Sequence, residues 1–529
     1  MSELLFGQSY YLRFDPKLWE AMQPYPPLGT LYAASYLRER DYDVALFDAM
    51  LAESEMQWGA ALDQEQPRYA ILYEDNFNYL SKMCLLRMRE AAFTMTEMAK
   101  QRGCIVIACG ADATDHAEEY LRRGVDYVIL GEGEITLGEL LDTLENGEDP
   151  LPLAEIPALA FLQNKETDDQ LVKTAERPII RDLDSLPFPA WDLVDIPKYR
   201  QIWLEHHGYY SVNMVTTRGC LYHCNWCAKP IWGQRYHSRS PQNVVAELKW
   251  LQETYGVEHI WFVDDIMGLK PRWLHQFADE IEANNVHVRF KCLSRVDLLL
   301  RKGDVDALRR AGAEIIWVGA ESGSQKILDA MEKGTKVEQI YEATEQLHAA
   351  DIKVAYFLQF GYPGETRQDI EKTLQMIRDC QPDDIGMSVS YPLLGTKFHQ
   401  QVQDELGTKR NWQDSSDLAM LYQGPYATQF YRQLHTVLHK EFRARKTWHT
   451  LKHMASHPNQ LQGSHLRQAA AMIYHRATLW SARQKLNRLE AIPHKGLGPL
   501  KPTMNQEAAA TPSPQIEATT SEVINSSHK

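Results

Sequence analysis

The sequence predicts an α/β protein with two successive parallel sheets and a helical C-terminal region. Three observations predict it. Short apolar runs alternate with amphipathic stretches over residues 1–148. The same rhythm resumes at 211, after a proline-rich stretch. From 400 onward the strand-like runs stop, and helical, more basic patterns replace them.

In the first series, runs at 4–10, 43–47, 104–109 and 127–130 read as buried parallel strands. Helical patterns lie at 28–40, 81–101 and 116–123, with another beginning at Ile135. That order is the βαβ rhythm of a doubly wound, flavodoxin-like sheet, whose ligands sit at the carboxyl ends of the strands. Those ends carry Asp48-Ala-Met50, Gly110-Ala-Asp112-Ala-Thr114 and Gly131-Glu-Gly-Glu134. Residues 149–210 connect the two series and hold Pro150, Pro152, Pro157, Pro178, Pro187, Pro189 and Pro197. Runs at 158–162 and 171–174 suit a small hairpin. The aromatic residues of 183–191 want burial, which makes this region an ordered strap. The second series offers strands at 212–217, 259–264, 288–294, 314–321, 353–360 and 384–392. Six such strands over 211–399 predict a parallel sheet curled into a partial (β/α)6 barrel, with its active site at the C-terminal strand ends. Residues 400–495 are expected to form a helical cap. The composition of 496–529 predicts a disordered tail.

The bulk properties exclude several classes of function. A chain of 529 residues exceeds one compact domain. A net charge of -15 argues against a large nucleic-acid-binding surface. No apolar run approaches the ~18 residues needed for a membrane span. The opening Met1-Ser-Glu-Leu-Leu-Phe lacks the basic start of a secretory signal, so a cytoplasmic location is expected. Of eight cysteines, Cys84, Cys104, Cys109, Cys292 and Cys380 are scattered and read as reduced, buried small hydrophobes.

The other three stand together in Arg218-Gly-Cys220-Leu-Tyr-His-Cys224-Asn-Trp-Cys227, straight after the first strand of the second series. Three thiolates at C-x3-C-x2-C spacing can hold three irons of a [4Fe–4S] cluster and leave the fourth iron open to a ligand. A zinc site completed by His223, His237 or Cys292 is the competing reading of the same residues.

With Trp226 immediately before the last cysteine, and with motifs at the ends of the later strands, this segment resembles the radical S-adenosylmethionine superfamily. The resemblance implies that Cys220, Cys224 and Cys227 ligate the cluster. It further implies that an electron from the reduced cluster cleaves S-adenosylmethionine to methionine and a 5′-deoxyadenosyl radical. Cofactor contacts are implied at Trp226, at Asp264 and Asp265, at Ser294 and Arg295, at Glu321 and Ser322, and at Gly361 and Gly364. A low-potential electron donor such as flavodoxin or ferredoxin is implied as partner. No catalytic residue of the substrate step is named.

Residues 1–148 resemble the cobalamin-binding domain that precedes the barrel in one large subgroup. The carrying residues are Pro24-Tyr-Pro-Pro27-Leu28-Gly29, the Gly110 loop and Gly131-Glu132-Gly133-Glu134. Implied cobalamin contacts are Tyr25, Pro27, Gly110, Gly131 and Glu132. One departure stands out: where a D-x-H-x-x-G signature would place histidine and glycine, this chain has Met50 and Glu53. Any bound cobalamin therefore takes no histidine lower ligand from this loop, and its lower face would meet residues near 25–28 or 76–79, or water. The function this implies is a cobalamin-dependent methyltransferase acting on an unactivated carbon or phosphorus of a small or lipid-like metabolite. The alternatives are an oxidoreductase or cyclase of the anaerobic porphyrin cyclase type, and a non-catalytic cobalamin-binding or zinc-containing protein.

Overall fold

A computed structural model describes residues 2–145, 151–165, 168–229, 231–407, 409–455 and 463–490. The tail expected at 496–529 lies outside the described residues.

The first sheet contains β1 (Leu4–Gly7), β2 (Val44–Leu46), β3 (Tyr69–Tyr73), β4 (Ile105–Cys109), β5 (Tyr127–Ile129), β6 (Leu159–Lys165) and β7 (Asp168–Lys173). Their order is β2-β1-β3-β4-β5-β6-β7. The first five pair in parallel and the last two add antiparallel. The order 2-1-3-4-5 is that of a flavodoxin-like sheet, with its topological switch between β1 and β3. Sequence reading missed β3. Tyr-Ala-Ile-Leu-Tyr is buried at every position, and a run covered on both faces carries no alternation to mark it as strand. Leu5, Ala70, Leu72, Val106 and Ala108 face one helical layer. Phe6, Tyr69, Ile71, Tyr73 and Ile107 face the other. The hairpin read within the connecting region continues this same sheet, through β5–β6 pairing.

The second sheet contains β8 (Ser211–Met214), β11 (His259–Phe262), β12 (Arg289–Ser294), β13 (Ala313–Glu321), β14 (Lys353–Phe360) and β15 (Asp384–Val389). All six are parallel, in the order β15-β14-β13-β12-β11-β8. Between β8 and β11, β9 (Thr217–Arg218) and β10 (His237–Ser238) form a short antiparallel pair that closes the cysteine loop at its base. Along each strand, side chains alternate between faces. Val212, Ile260, Phe262, Phe290, Cys292, Ile316, Val318, Val354, Leu358 and Met387 are buried beneath the surrounding helices. Their neighbours in sequence line the concave face.

The strap clasps both sheets through buried aromatic residues. Trp191 Nε1 donates to Glu247 Oε1 at 3.4 Å, Trp203 Nε1 to the Pro24 carbonyl at 2.8 Å, and Tyr199 Oη to Asp48 Oδ2 at 2.7 Å. The C-terminal region is built of helices separated by one irregular stretch. After the helix Lys397–Val402 and one short turn, the chain is irregular until the helix Thr428–Ala455, which packs with Gly463–Glu490. Gly407, Gly424 and Pro425 in that stretch favour turns over helix. Two of its carbonyls, on Trp412 and Gln413, accept from the N–H groups of Leu86 and Arg87, so the cap also grips the first domain.

Replacing fully buried Trp191 with Ala is expected to lower stability by about 3–5 kcal/mol, through the cavity it opens between strap and barrel. Urea unfolding of wild type and variant measures this.

Candidate functional site

The three cysteines lie at the C-terminal end of β8, in the loop between β9 and β10. Gly219, at φ +82°, makes the turn into the loop. A Cβ there would lie 2.2 Å from the Arg235 carbonyl oxygen, so only glycine fits. Cys220, Cys224 and Cys227 are partly exposed and reduced. Burial, then the charges of Cys224, Asp265 and Cys220, pushes Cys227 up to about 12. Burial also raises Cys220, while nearby Lys229 opposes the shift. Lys229 Nζ donates to the Cys220 carbonyl at 2.9 Å and also to that of Tyr222. Arg295, at the end of β12, places Nη1 3.9 Å from Cys224 Sγ, donates from Nη2 to the Lys333 carbonyl at 2.9 Å, and stacks over Tyr222. Three soft donors flanked by two cations suit a negatively charged iron–sulfur cluster. Cys292 is fully buried on the opposite, helix-covered face of the sheet and does not join them. Among the described residues no group of three or more His, Cys, Asp or Glu is arranged to hold a single metal ion.

The remaining residues expected at the barrel mouth divide by their partners. Asp264 is fully engaged within the protein: its oxygens accept from the N–H of Thr216 and of Thr217 and from Thr216 Oγ1, each at 2.7 Å. Burial still raises its carboxyl to about 6. Asp265 instead faces the thiols and pairs with Lys82 of the first domain at 2.6 Å. Ser294 Oγ donates to the Met267 carbonyl at 3.3 Å. Glu321 sits at a bulge in β13 with φ +55° and pairs with Lys333 at 2.8 Å, a strained backbone of the kind that clusters at ligand sites. Ser322 is buried beside Thr373. The Gly361 N–H donates to Glu365 at 2.7 Å, and the Gly364 carbonyl accepts from Lys326 at 2.7 Å. Lys333 Nζ lies 5.9 Å from the ring centre of Trp226.

The first domain contributes more to the site than its sequence suggested. Arg218, two residues before Cys220, is buried against Glu132 Oε1 at 2.5 Å and Glu134 Oε1 at 2.7 Å. The Gly-Glu-Gly-Glu turn is shaped for this pair, because a Cβ on Gly133 would lie 2.6 Å from Cys109 Sγ and 2.8 Å from the Tyr73 ring. The second oxygen of Glu132 accepts from the Ile180 N–H at 2.6 Å, so both are held by protein. The Gly131 N–H donates to Thr114 Oγ1 at 3.0 Å. Pro27 begins the helix Leu28–Arg38, and Tyr25 reaches the barrel, where its hydroxyl meets Ser211 Oγ at 3.3 Å. Gly110 packs directly on Glu74.

Sequence reasoning placed Tyr79 only within the segment 76–79 and missed Lys82, Asn225 and Lys333. Asn225 ties the cysteine loop to the far side of the barrel: its Nδ2 donates to the Ala330 carbonyl at 2.8 Å and its Oδ1 accepts from Tyr362 Oη at 3.0 Å. Tyr79 leaves 63% of its surface open, yet burial by surrounding protein, then the charges of Glu321 and Cys227, raise its hydroxyl. Both hold because the ring projects into the space between the two domains. Only the fold could reveal these contacts, since the partners lie far away in the chain.

A second polar cluster lies at the β1–β3 switch. The Glu74 carboxyl accepts from the Ser9 N–H at 2.9 Å, while its other oxygen, Gln8 Nε2 and Asn76 Oδ1 are buried without a partner. Burial raises Glu74 from 4.5 to about 7.

A curled six-stranded parallel sheet with a three-cysteine loop after its first strand is the frame of a radical enzyme, and residues 214–377 match the Radical SAM superfamily. Residues 214–377 thus carry a Radical SAM domain, and the chain is an enzyme. It is 26% identical over 393 residues to a Pyrococcus horikoshii protein described as an uncharacterized methyltransferase, covering 73% of this chain and 81% of that one. It is 26% identical over 379 residues to the anaerobic magnesium-protoporphyrin IX monomethyl ester cyclase of Synechocystis, covering 71% and 72%. Among solved structures, the methyltransferase TsrM of Kitasatospora setae, with cobalamin and a [4Fe–4S] cluster bound, superposes with a TM-score of 0.60 at 17% identity, covering 76% and 75%. OxsB with aqua-cobalamin and S-adenosylmethionine superposes with 0.59 at 18% identity, covering 71% of this chain and 52% of OxsB. The chain thus spans about half the length of OxsB. These likenesses establish a shared fold.

Two outcomes follow. Arg218→Ala leaves two buried carboxylates without a counter-charge and is expected to cost about 3–5 kcal/mol, read as a lowered urea midpoint. For Glu74, the folded carboxyl titrates near 7, above the unfolded value of 4.5. Its contribution to stability is present below pH 4.5 and is lost as pH rises through about 7. Glu74→Gln should flatten that fall and be more stable than wild type at pH 8, by urea unfolding across the range.

Proposed function

We propose that this enzyme transfers a methyl group to an unactivated carbon or phosphorus of a small or lipid-like metabolite, using a [4Fe–4S] cluster, S-adenosylmethionine and cobalamin. The observation that carries the reading is the three-cysteine loop at the end of β8, locked by Arg218 onto the carboxyl edge of a flavodoxin-like domain. When bound, these groups supply a low-potential electron, a precursor of a carbon radical and a methyl carrier.

Cys220, Cys224 and Cys227 would hold three irons, leaving the fourth for the amino and carboxylate groups of S-adenosylmethionine. Asp265, facing the thiols and paired with Lys82, would be the carboxylate near that position, since Asp264 is engaged by Thr216 and Thr217. Arg295 would meet the cofactor's carboxylate. Glu321, held by Lys333, would accept from ribose hydroxyls beside the Gly361–Gly364 turn. The fit of the first domain to a corrin rests on the buried, unpartnered atoms of Gln8, Glu74 and Asn76 at the switch crevice, which match the donors and acceptors of an amide-bearing rim. Met50 is buried where a lower histidine would stand, so this loop offers the metal no imidazole. Tyr79, projecting between the domains, lines the space that the two halves share.

A second reading, ring closure or oxidation without methyl transfer, is favoured by the cyclase relative. Product mass separates them, because methylation adds one CH2 and the alternatives do not.

Changing Cys220, Cys224 and Cys227 to Ala is expected to abolish the brown iron–sulfur absorbance and reductive cleavage of S-adenosylmethionine in anaerobically reconstituted protein. Cleavage that persists in the triple variant would falsify the assignment.

A further inference from the structure

The concave face of the second sheet carries a cation that none of the proposed cofactor contacts uses. Register pairing sets Asn213, Trp261, Lys291 and Ile315 side by side across β8, β11, β12 and β13. Residues two positions further along a strand share that face, which adds Leu293, Trp317 and, from β14, Phe357. Trp317 and Phe357 stack with ring centres 4.6 Å apart, and Phe357 is 36% exposed. Large apolar rings left open on an inward face are unusual unless something covers them.

Lys291 sits among these rings. Its Nζ lies 4.0 Å from the ring centre of Trp261 and 5.3 Å from that of Tyr25. Among the described residues it has no carboxylate within ion-pair distance. The acids nearest in charge are occupied elsewhere. Glu314 pairs with Lys353 at 2.9 Å and Arg289 at 3.3 Å, while Asp384 accepts from the Ile385 N–H at 2.8 Å. Burial accordingly lowers the Lys291 ammonium to about 7. Cation–π attraction offsets only part of that desolvation, and an incoming anion would offset the rest. Lys291 precedes Arg295 by four residues, or ~13 Å of strand, and Arg295 touches Cys224.

We propose that this concave face seats the substrate, and that it takes a flat, π-rich molecule bearing a carboxylate. The acid pairs with Lys291, the ring system lies against Trp261 and the Trp317–Phe357 stack, and the far end reaches the cysteine loop. This deepens the reading above and rests on it for the identity of the reacting end.

The test is equilibrium binding of 1-pyrenebutyrate and its neutral counterpart 1-pyrenebutanol to the anaerobic holoenzyme, followed by fluorescence anisotropy. Wild type is expected to hold the acid about tenfold more tightly than the alcohol, the usual worth of a charge-assisted contact. Lys291→Met should bring the acid down to the alcohol's affinity, Lys291→Arg should keep the preference, and Trp317→Ala should weaken both probes. Equal affinities in wild type, or a preference that survives in Lys291→Met, overturns the proposal; the wild-type comparison needs no variant to fold. Cleavage of S-adenosylmethionine is measured on the same preparation. Its absence would count against the proposed function while leaving the binding result to stand or fall separately.

Discussion

The buried contact of Arg218 with Glu132 and Glu134 is the interaction on which the site depends. A guanidinium removed from water is tolerated only with opposite charge and good geometry, and two carboxylates from one turn supply both. The contact joins the last residues before the cysteine loop to the carboxyl edge of the first sheet. Domain docking and placement of the metal-binding loop are thus one event. Had the two sheets been linked only by the strap, the loop's position relative to the first domain would be set by apolar packing, which slides more easily than a bidentate ion pair.

Around that contact, each domain completes the other's site. Lys82 of the first domain neutralises Asp265 beside the thiols, and Tyr79 enters the shared space. In return, Tyr25 leaves the first domain to stand in the barrel beside Lys291. The C-terminal region joins the first domain as well, with Trp412 and Gln413 gripping the start of the helix Leu86–Lys100. The barrel face has charged and thiol groups at one end and aromatic rings at the other.

Much of this was legible from residues alone. The six barrel strands follow from their apolar runs, and the three-cysteine spacing marks a metal-binding loop whose choice between cluster and zinc rested on the motifs at the later strand ends. Neither depends on contacts distant in the chain. The strand Tyr69–Tyr73 was not legible, because burial on both faces erases the alternation that marks a strand. Among the acidic residues, Asp264 and Asp265 are identical in type and adjacent in sequence. Only their partners separate them: Thr216 and Thr217 for one, Lys82 for the other. Glu132, expected as a cofactor contact, has both oxygens occupied by Arg218 and Ile180.

Local pattern therefore determined the two βα series, the strand ends that carry function and the thiol loop, since periodicity and ligand spacing are properties of neighbouring residues. Tertiary structure alone decided which charges meet, which acids remain open and which face of the barrel is left uncovered. Those outcomes turn on pairings such as Arg218 with Glu132, 86 residues apart, and Lys82 with Asp265, 183 apart. No local rule reaches so far, because such contacts form only once the sheets have docked.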